Sequence, residues 1–306
     1  MGAVSERELS RIAATRRGVH DRLAVLEPGR PPSFDPGRTL RLRVEFVRQI
    51  RRRRTQIVGG LLIVLPIIMA LAFRLGGAGN DAQAGALVSL ATHGGANFAL
   101  FTEFASVGFL LVVVVALFCG DTVASEASWA SLRYLLAQPV PRPRLLRQKL
   151  LVAGALSVLA NLILPFWAYL VGGMFFGFGP ATSPVGGTFT TGESLWRLLV
   201  IVVFVCGQML VVAALAFLLS VSVDNPLGAV GGAVMLVVVS NILDQITALD
   251  PWRRYLPTHW NYAWTDILQR PVDWGDMTRG TGVAIIYATI FLAIAWLRFD
   301  RKDITS

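Results

Sequence analysis

Lysine is almost missing from this chain of 306 residues; Lys149 and Lys302 are the only two. Neither follows a glycine, so there is no Walker A loop to cradle a nucleotide phosphate, and any ATP-driven work belongs to another polypeptide. Cysteine is equally scarce. Cys119 and Cys206 both lie in apolar runs, which argues against a structural disulfide. The three histidines, His20, His93 and His259, are far apart and have no metal-ligand spacing. No H-E-x-x-H, no G-x-S-x-G and no paired aspartates within an apolar run are found, so the common hydrolase and metalloenzyme constellations are absent. Charge is thin as well, at 15% of residues against about 25% in a soluble domain.

What fills the chain is apolar. Hydrophobic residues make up 54%, mean hydropathy is +0.60, and the apolar residues come in runs of the length that crosses a bilayer. Six spans are expected, at about 55–74, 97–119, 150–174, 195–221, 226–247 and 280–297. The formal charge of +9 is no nucleic-acid signal, because the basic residues gather at the span ends. The loops at 75–96 and 175–193 contain no Lys or Arg and are expected outside. The basic stretches before the first span, between the second and third, and after the last are expected inside, as the positive-inside rule requires. Both termini are then cytoplasmic, and the chain is expected in the cytoplasmic membrane.

Ahead of the spans, residues 1–38 form a polar tail with a proline-rich linker. Ser5 and Glu8 make a capping box, and an amphipathic stripe runs over 5–26; a helix and an unstructured tail are both open readings. Residues 39–54 set Leu40, Leu42, Val44, Phe46, Val47 and Ile50 among arginines that include Arg51, Arg52, Arg53 and Arg54. This reads as an interfacial helix with those four arginines as anchors at the level of lipid phosphates.

The polar island from Gly120 to Lys149 divides the second span from the third. Asp121 or Ser125 can cap a short helix there, and Pro139 must end it. Trp129, Leu132, Leu135 and Leu136 fall on one face of it at helical spacing. Residues 249–278 are too polar to span, yet they crowd Trp252, Tyr255, Trp260, Tyr262, Trp264 and Trp274 together. One or two short helices in or dipping into the outer leaflet are expected there. Within the apolar runs stand Glu103, Asn161, Gln208, Asn241, Asp244 and Gln245. Polar groups at such depth face the protein interior or a water-filled path. Two readings are open: Glu103, Asn241 and Asp244 line the outer part of a pathway, or these groups bond between helices and sit at headgroup level. Gly154 with Ala155, and Gly228, Gly231 and Gly232, are expected where helices approach closely.

The order of features resembles one family. Glu126 follows a span; a small amphipathic helix, the string Leu-Leu-Ala-Gln-Pro-Val-Pro-Arg and then Lys149 come after it; and the chain closes on Phe-x-Arg-Lys-Asp-Ile. This is similar to the permease subunits of type-2 ATP-binding-cassette (ABC) exporters, over about residues 40–306. Pro141 stands where members often carry Ser. The resemblance implies an all-α membrane protein of six spans. It also implies an interfacial elbow helix, a cytoplasmic coupling helix and a short re-entrant element before the last span. Glu126, Trp129, Leu132, Arg133, Leu136, Pro139 and Arg142 would couple to a separate cytoplasmic ATPase subunit that binds ATP and Mg, this chain binding no cofactor. A second permease copy, identical or related, would complete the pathway, with membrane lipid around it and no nucleic acid. The cargo implied is an amphipathic small molecule, drug, peptide or lipid, moved outward. An intramembrane lipid-modifying enzyme, or an anchor or sensor that transports nothing, are the competing functions.

Overall fold

Arg53 to Gly76 shows how this chain builds an element. Between Arg54 and Arg74 there is no charge, so the backbone must satisfy its own polar groups, and a helix does so. The structure, a computed structural model, describes residues 42–76, 86–128, 142–184 and 186–301. Among them the helices are α1 (Leu42–Ile50), α2 (Arg53–Gly76), α3 (Ala86–Leu90), α4 (Gly95–Val107), α5 (Leu110–Ser128), α6 (Arg142–Phe176), α7 (Thr191–Ser222), α8 (Pro226–Asp244) and α9 (Gly275–Asp300). Three 3-10 turns, Thr247–Leu249, Trp252–Tyr255 and Ala263–Leu268, lie between α8 and α9. The extended structure among the described residues is one isolated bridge, Thr182 to Thr188.

Five helices, α2, α6, α7, α8 and α9, are long and apolar enough to cross a membrane, and the bent pair α4–α5 would make a sixth. The expected span at 97–119 is therefore not one straight helix. It breaks at Gly108 and Phe109 with a bend of 58°. Glycine is a weak helix former and a common kink site. Here the Gly108 carbonyl accepts a hydrogen bond from Asn241 of α8. The other boundaries lie near their expected places and have local causes. Thr190 caps α7 by accepting from the Glu193 amide, and Asn225 caps α8 with Pro226 in its first turn.

Helix α7 is the centre of the bundle. Helices α9, α5 and α8 pack along it, while α6 packs against α4, α2 and α5. Helices α7 and α9 run parallel: Gly280 lies beside Gln208, and Arg298 donates to Ser222. Side chains of α5 and α7 fill the core, with Leu111, Val115, Cys119, Ile201, Val205 and Phe217 buried. Helices α2, α8 and α9 turn most of their surface outward, where Ile57, Ile68, Leu227, Met235, Ile286 and Leu297 are exposed. An apolar outer surface of this extent suits lipid, not water.

Three expectations need correction. The interfacial helix of 39–54 stops at Ile50, and Arg53 and Arg54 already belong to α2. Asp121 and Ser125 do not cap a loop helix, because α5 runs unbroken through both of them to Ser128. The close helix approaches coincide with only some of the expected glycines: Gly232 of α8 is one, since a Cβ there would lie 3.3 Å from Leu219 of α7. A Cβ on Gly154 or Gly231 would meet nothing within 4 Å, whereas one on Gly95 would lie 2.6 Å from the Tyr169 carbonyl oxygen. Residues 1–38 and 129–141 lie outside the described residues, and so do Trp129, Leu132, Arg133, Leu136 and Pro139.

Candidate functional site

The bundle has two charged ends. At the end where α5 stops and α6 begins, α5 carries Asp121 and Glu126, both 3% exposed. Asp121 accepts from Arg52 at 2.8 Å and also pairs with Arg54 of α2. Glu126 pairs with Lys149 of α6 at 2.5 Å, with Arg48 of α1 further off at 3.9 Å. Lys149 is itself 4% exposed and also donates to the Thr122 carbonyl. Two acids and four cations from α1, α2, α5, α6 and the turn between α1 and α2 thus form one cluster. A buried charge is tolerated only when paired, so these contacts hold the four elements in register.

Two residues expected to act elsewhere are drawn into this cluster. Arg52 and Arg54, read as lipid anchors, engage Asp121, while Arg51 and Arg53 remain exposed. Glu126, read as bracing the start of a loop helix, belongs to the last turns of α5. The sequence carried a usable signal: acids at the end of an apolar run, facing cations at the starts of two others. Pairing them required the bundle. Arg142 opens α6, and its side chain lies outside the described residues.

At the opposite end, Arg197 of α7 is 7% exposed. It pairs with Glu193, donates to the carbonyls of Ile267 and Gln269, and lies over the Phe189 ring. Arg270 also pairs with Glu193. The segment between α8 and α9 is therefore clamped to the start of α7. Asp244, at the end of α8, pairs with His259 at 2.5 Å, and Arg253 donates to the Asp244 carbonyl. Arg253 also holds the Asp250 carboxyl below its usual range by hydrogen bonding. Ser240 of α8 bonds Thr258 at 2.7 Å.

The same segment reaches into the bundle. Trp260 packs on Gly280 of α9, beside the Gln208 side chain, about 16 Å along α7 from Arg197 at 1.5 Å per residue. Trp264, Ile267 and Leu268 are fully buried, while Trp252, Tyr255 and Trp274 stay exposed. Where one or two short helices are expected, this part of the chain holds three 3-10 turns.

Between the two ends lies Glu103 of α4, with no exposed surface. Neither carboxylate oxygen has a hydrogen-bond partner. Nor do Ser106 Oγ, Gln208 Oε1 and Nε2, or Trp264 Nε1. Of the three residues expected to line a pathway, Glu103 is unpartnered, Asn241 bonds Gly108 and Asp244 bonds His259. Asn161 donates to the carbonyl of Ser157 in its own helix, as an interhelical bond would not.

These features define an all-helical, multi-pass membrane protein. Residues 86–305 match the family described as Protein of unknown function (DUF2705), and the chain belongs to that family. It is also similar to the uncharacterized protein YhcI of Bacillus subtilis (strain 168), with 27% identity over 224 residues, covering 69% of this chain and 67% of the relative.

Proposed function

We propose that the protein is the permease subunit of an ATP-driven ABC exporter of the type-2 kind, with a separate ATPase beneath the loop at 129–141. The observation that carries this reading is the buried ion cluster at that loop's two roots. Helix α5 leads into the loop and α6 leads out of it, and Glu126–Lys149 joins them. Asp121 ties the same place to α2 through Arg52 and Arg54. A force applied to the loop would therefore move three spans together and would not be absorbed by bending at one root.

On this reading the cluster faces the cytoplasm, as the lysine and arginine distribution supports. The segment 247–274 is the re-entrant element of the outer side. Two copies of the chain, or this chain and a related one, enclose the pathway. The absence of large outer loops favours an amphipathic cargo taken from the membrane over a captured protein. Trp129 and Leu132 would be the apolar anchors on the ATPase, since interface energy concentrates in a few such residues, each worth about 2 kcal/mol or more.

The experiment is co-purification of the ATPase together with cargo-stimulated ATP hydrolysis. Trp129→Ala combined with Leu132→Ala is expected to release the ATPase and uncouple hydrolysis, with the spans still inserted. Retention of both properties at the wild-type level would remove the loop as a coupling element and the exporter reading with it.

A further inference from the structure

Among the described residues, five charged side chains are buried: Glu103, Asp121, Glu126, Lys149 and Arg197. Four of them have ion-pair partners. Glu103 has neither an ion pair nor a hydrogen bond, although its surface is entirely covered. A carboxyl in that position is costly to an apolar bundle, and it calls for a partner outside the chain.

The surroundings narrow what that partner is. Ser106, on the same face of α4 one turn on, leaves its hydroxyl unpartnered. Helix α7 also packs against α4. On α7, Gln208 leaves its whole amide unpartnered beside Gly280 of α9. Aromatic rings close the region. Phe104 packs against Tyr262 at 5.1 Å and edge-on to Trp264 at 6.4 Å between ring centroids. Carboxylate oxygens accept hydrogen bonds and attract positive charge, and aromatic faces attract cations while covering apolar groups. That combination suits an organic cation with an apolar body better than a neutral lipid or an anion.

We propose that Glu103, with Ser106 one turn on, holds the cationic group of the exporter's cargo, an amphipathic organic cation. The inference rests on the exporter reading and names its substrate class. The inserted segment carrying Tyr262 and Trp264 lies against Phe104, the residue after Glu103.

The test uses two probes of the same shape and opposite charge, tetraphenylphosphonium and tetraphenylborate. Each is titrated into the purified full-length chain in nanodiscs, and binding is read by tryptophan fluorescence. The cation is expected to bind at least about tenfold more tightly than the anion, a difference of about 1.4 kcal/mol, because the Glu103 carboxylate attracts one charge and repels the other. Glu103→Gln should lose that preference, whereas Asp244→Asn, whose carboxylate already has His259, should keep it. A Glu103→Gln protein that still prefers the cation overturns the proposal. Equal binding of the two probes by the wild-type protein overturns it without any variant. No ATPase is present in this assay, so its failure leaves the coupling reading standing. Conversely, failure of the loop experiment would not alter the cation preference.

Discussion

Lys149 illustrates how a single residue acts inside a lipid-facing fold. It is 4% exposed and meets an acid that is equally buried. Removing one member of such a pair leaves the other charged without a partner, which costs about 3–5 kcal/mol, far more than loss of a surface pair. Lys149→Met is therefore expected to lower thermal stability by that amount, and Lys149→Met with Glu126→Gln to recover most of it. Thermal unfolding of the single and double variants in detergent measures this coupling, and additive losses would show that the two residues act separately. Asp266 makes a smaller prediction. Burial first, then the charges of Asp276 and Asp273, hold its carboxyl above the usual range. The folded protein thus keeps this proton more tightly than the unfolded chain. Its contribution is favourable below the unfolded value and is lost as pH rises through the folded one. Asp266→Asn should raise the melting temperature slightly at neutral pH and leave it unchanged in acid; a uniform shift at both would contradict this assignment.

At the scale of the element, the approach of α4 to α6 depends on glycine. Gly95 brings its amide to the Gly177 carbonyl, and a Cβ there would also lie 2.8 Å from the Gly173 amide nitrogen. Both neighbours are backbone and cannot swing aside. Gly95→Ala should destabilise the bundle by about 1–3 kcal/mol through overpacking, whereas Gly154→Ala, which faces open space, should be neutral or slightly stabilising through helix propensity. Comparable melting temperatures for the two variants would refute the close crossing. This pair also shows where sequence reading stopped. A glycine in an apolar run signals that an approach is sterically permitted, but which of several glycines meets a neighbour depends on helix rotation. Rotation is decided by partners far along the chain, such as Asn97, whose side chain bonds both the amide and the carbonyl of Thr182.

For the whole molecule, the distribution of arginine predicts orientation. Cysteines introduced at 85 or 185 should react with a membrane-impermeant reagent in intact cells, and one introduced at 140 should not. The native cysteines will interfere little, as Cys119 is buried and Cys206 half-buried. Labelling at 140 from outside would invert the topology and place the Asp121–Glu126 cluster on the wrong side for an ATPase.

Several features were legible before any fold existed, because they depend on composition over a window. Long runs without charge must be helices in a bilayer, so five of the expected spans match helices α2 and α6 to α9, within a few residues at most ends. Pro226 after Asn225, and Thr190 three residues before Glu193, marked helix starts for equally local reasons. The crowd of Trp and Tyr between the last two spans marked a segment distinct from the apolar runs on either side of it. What the sequence could not contain was pairing. Asp121 looked like a cap because its partners, Arg52 and Arg54, lie about seventy residues earlier. Glu103 and Asp244 looked alike as acids in apolar runs. The tertiary structure separated them: it brought His259 to Asp244 and brought no bonding partner to Glu103. A residue's burial and its partners are properties of several helices at once, whereas its preference for lipid or water is its own.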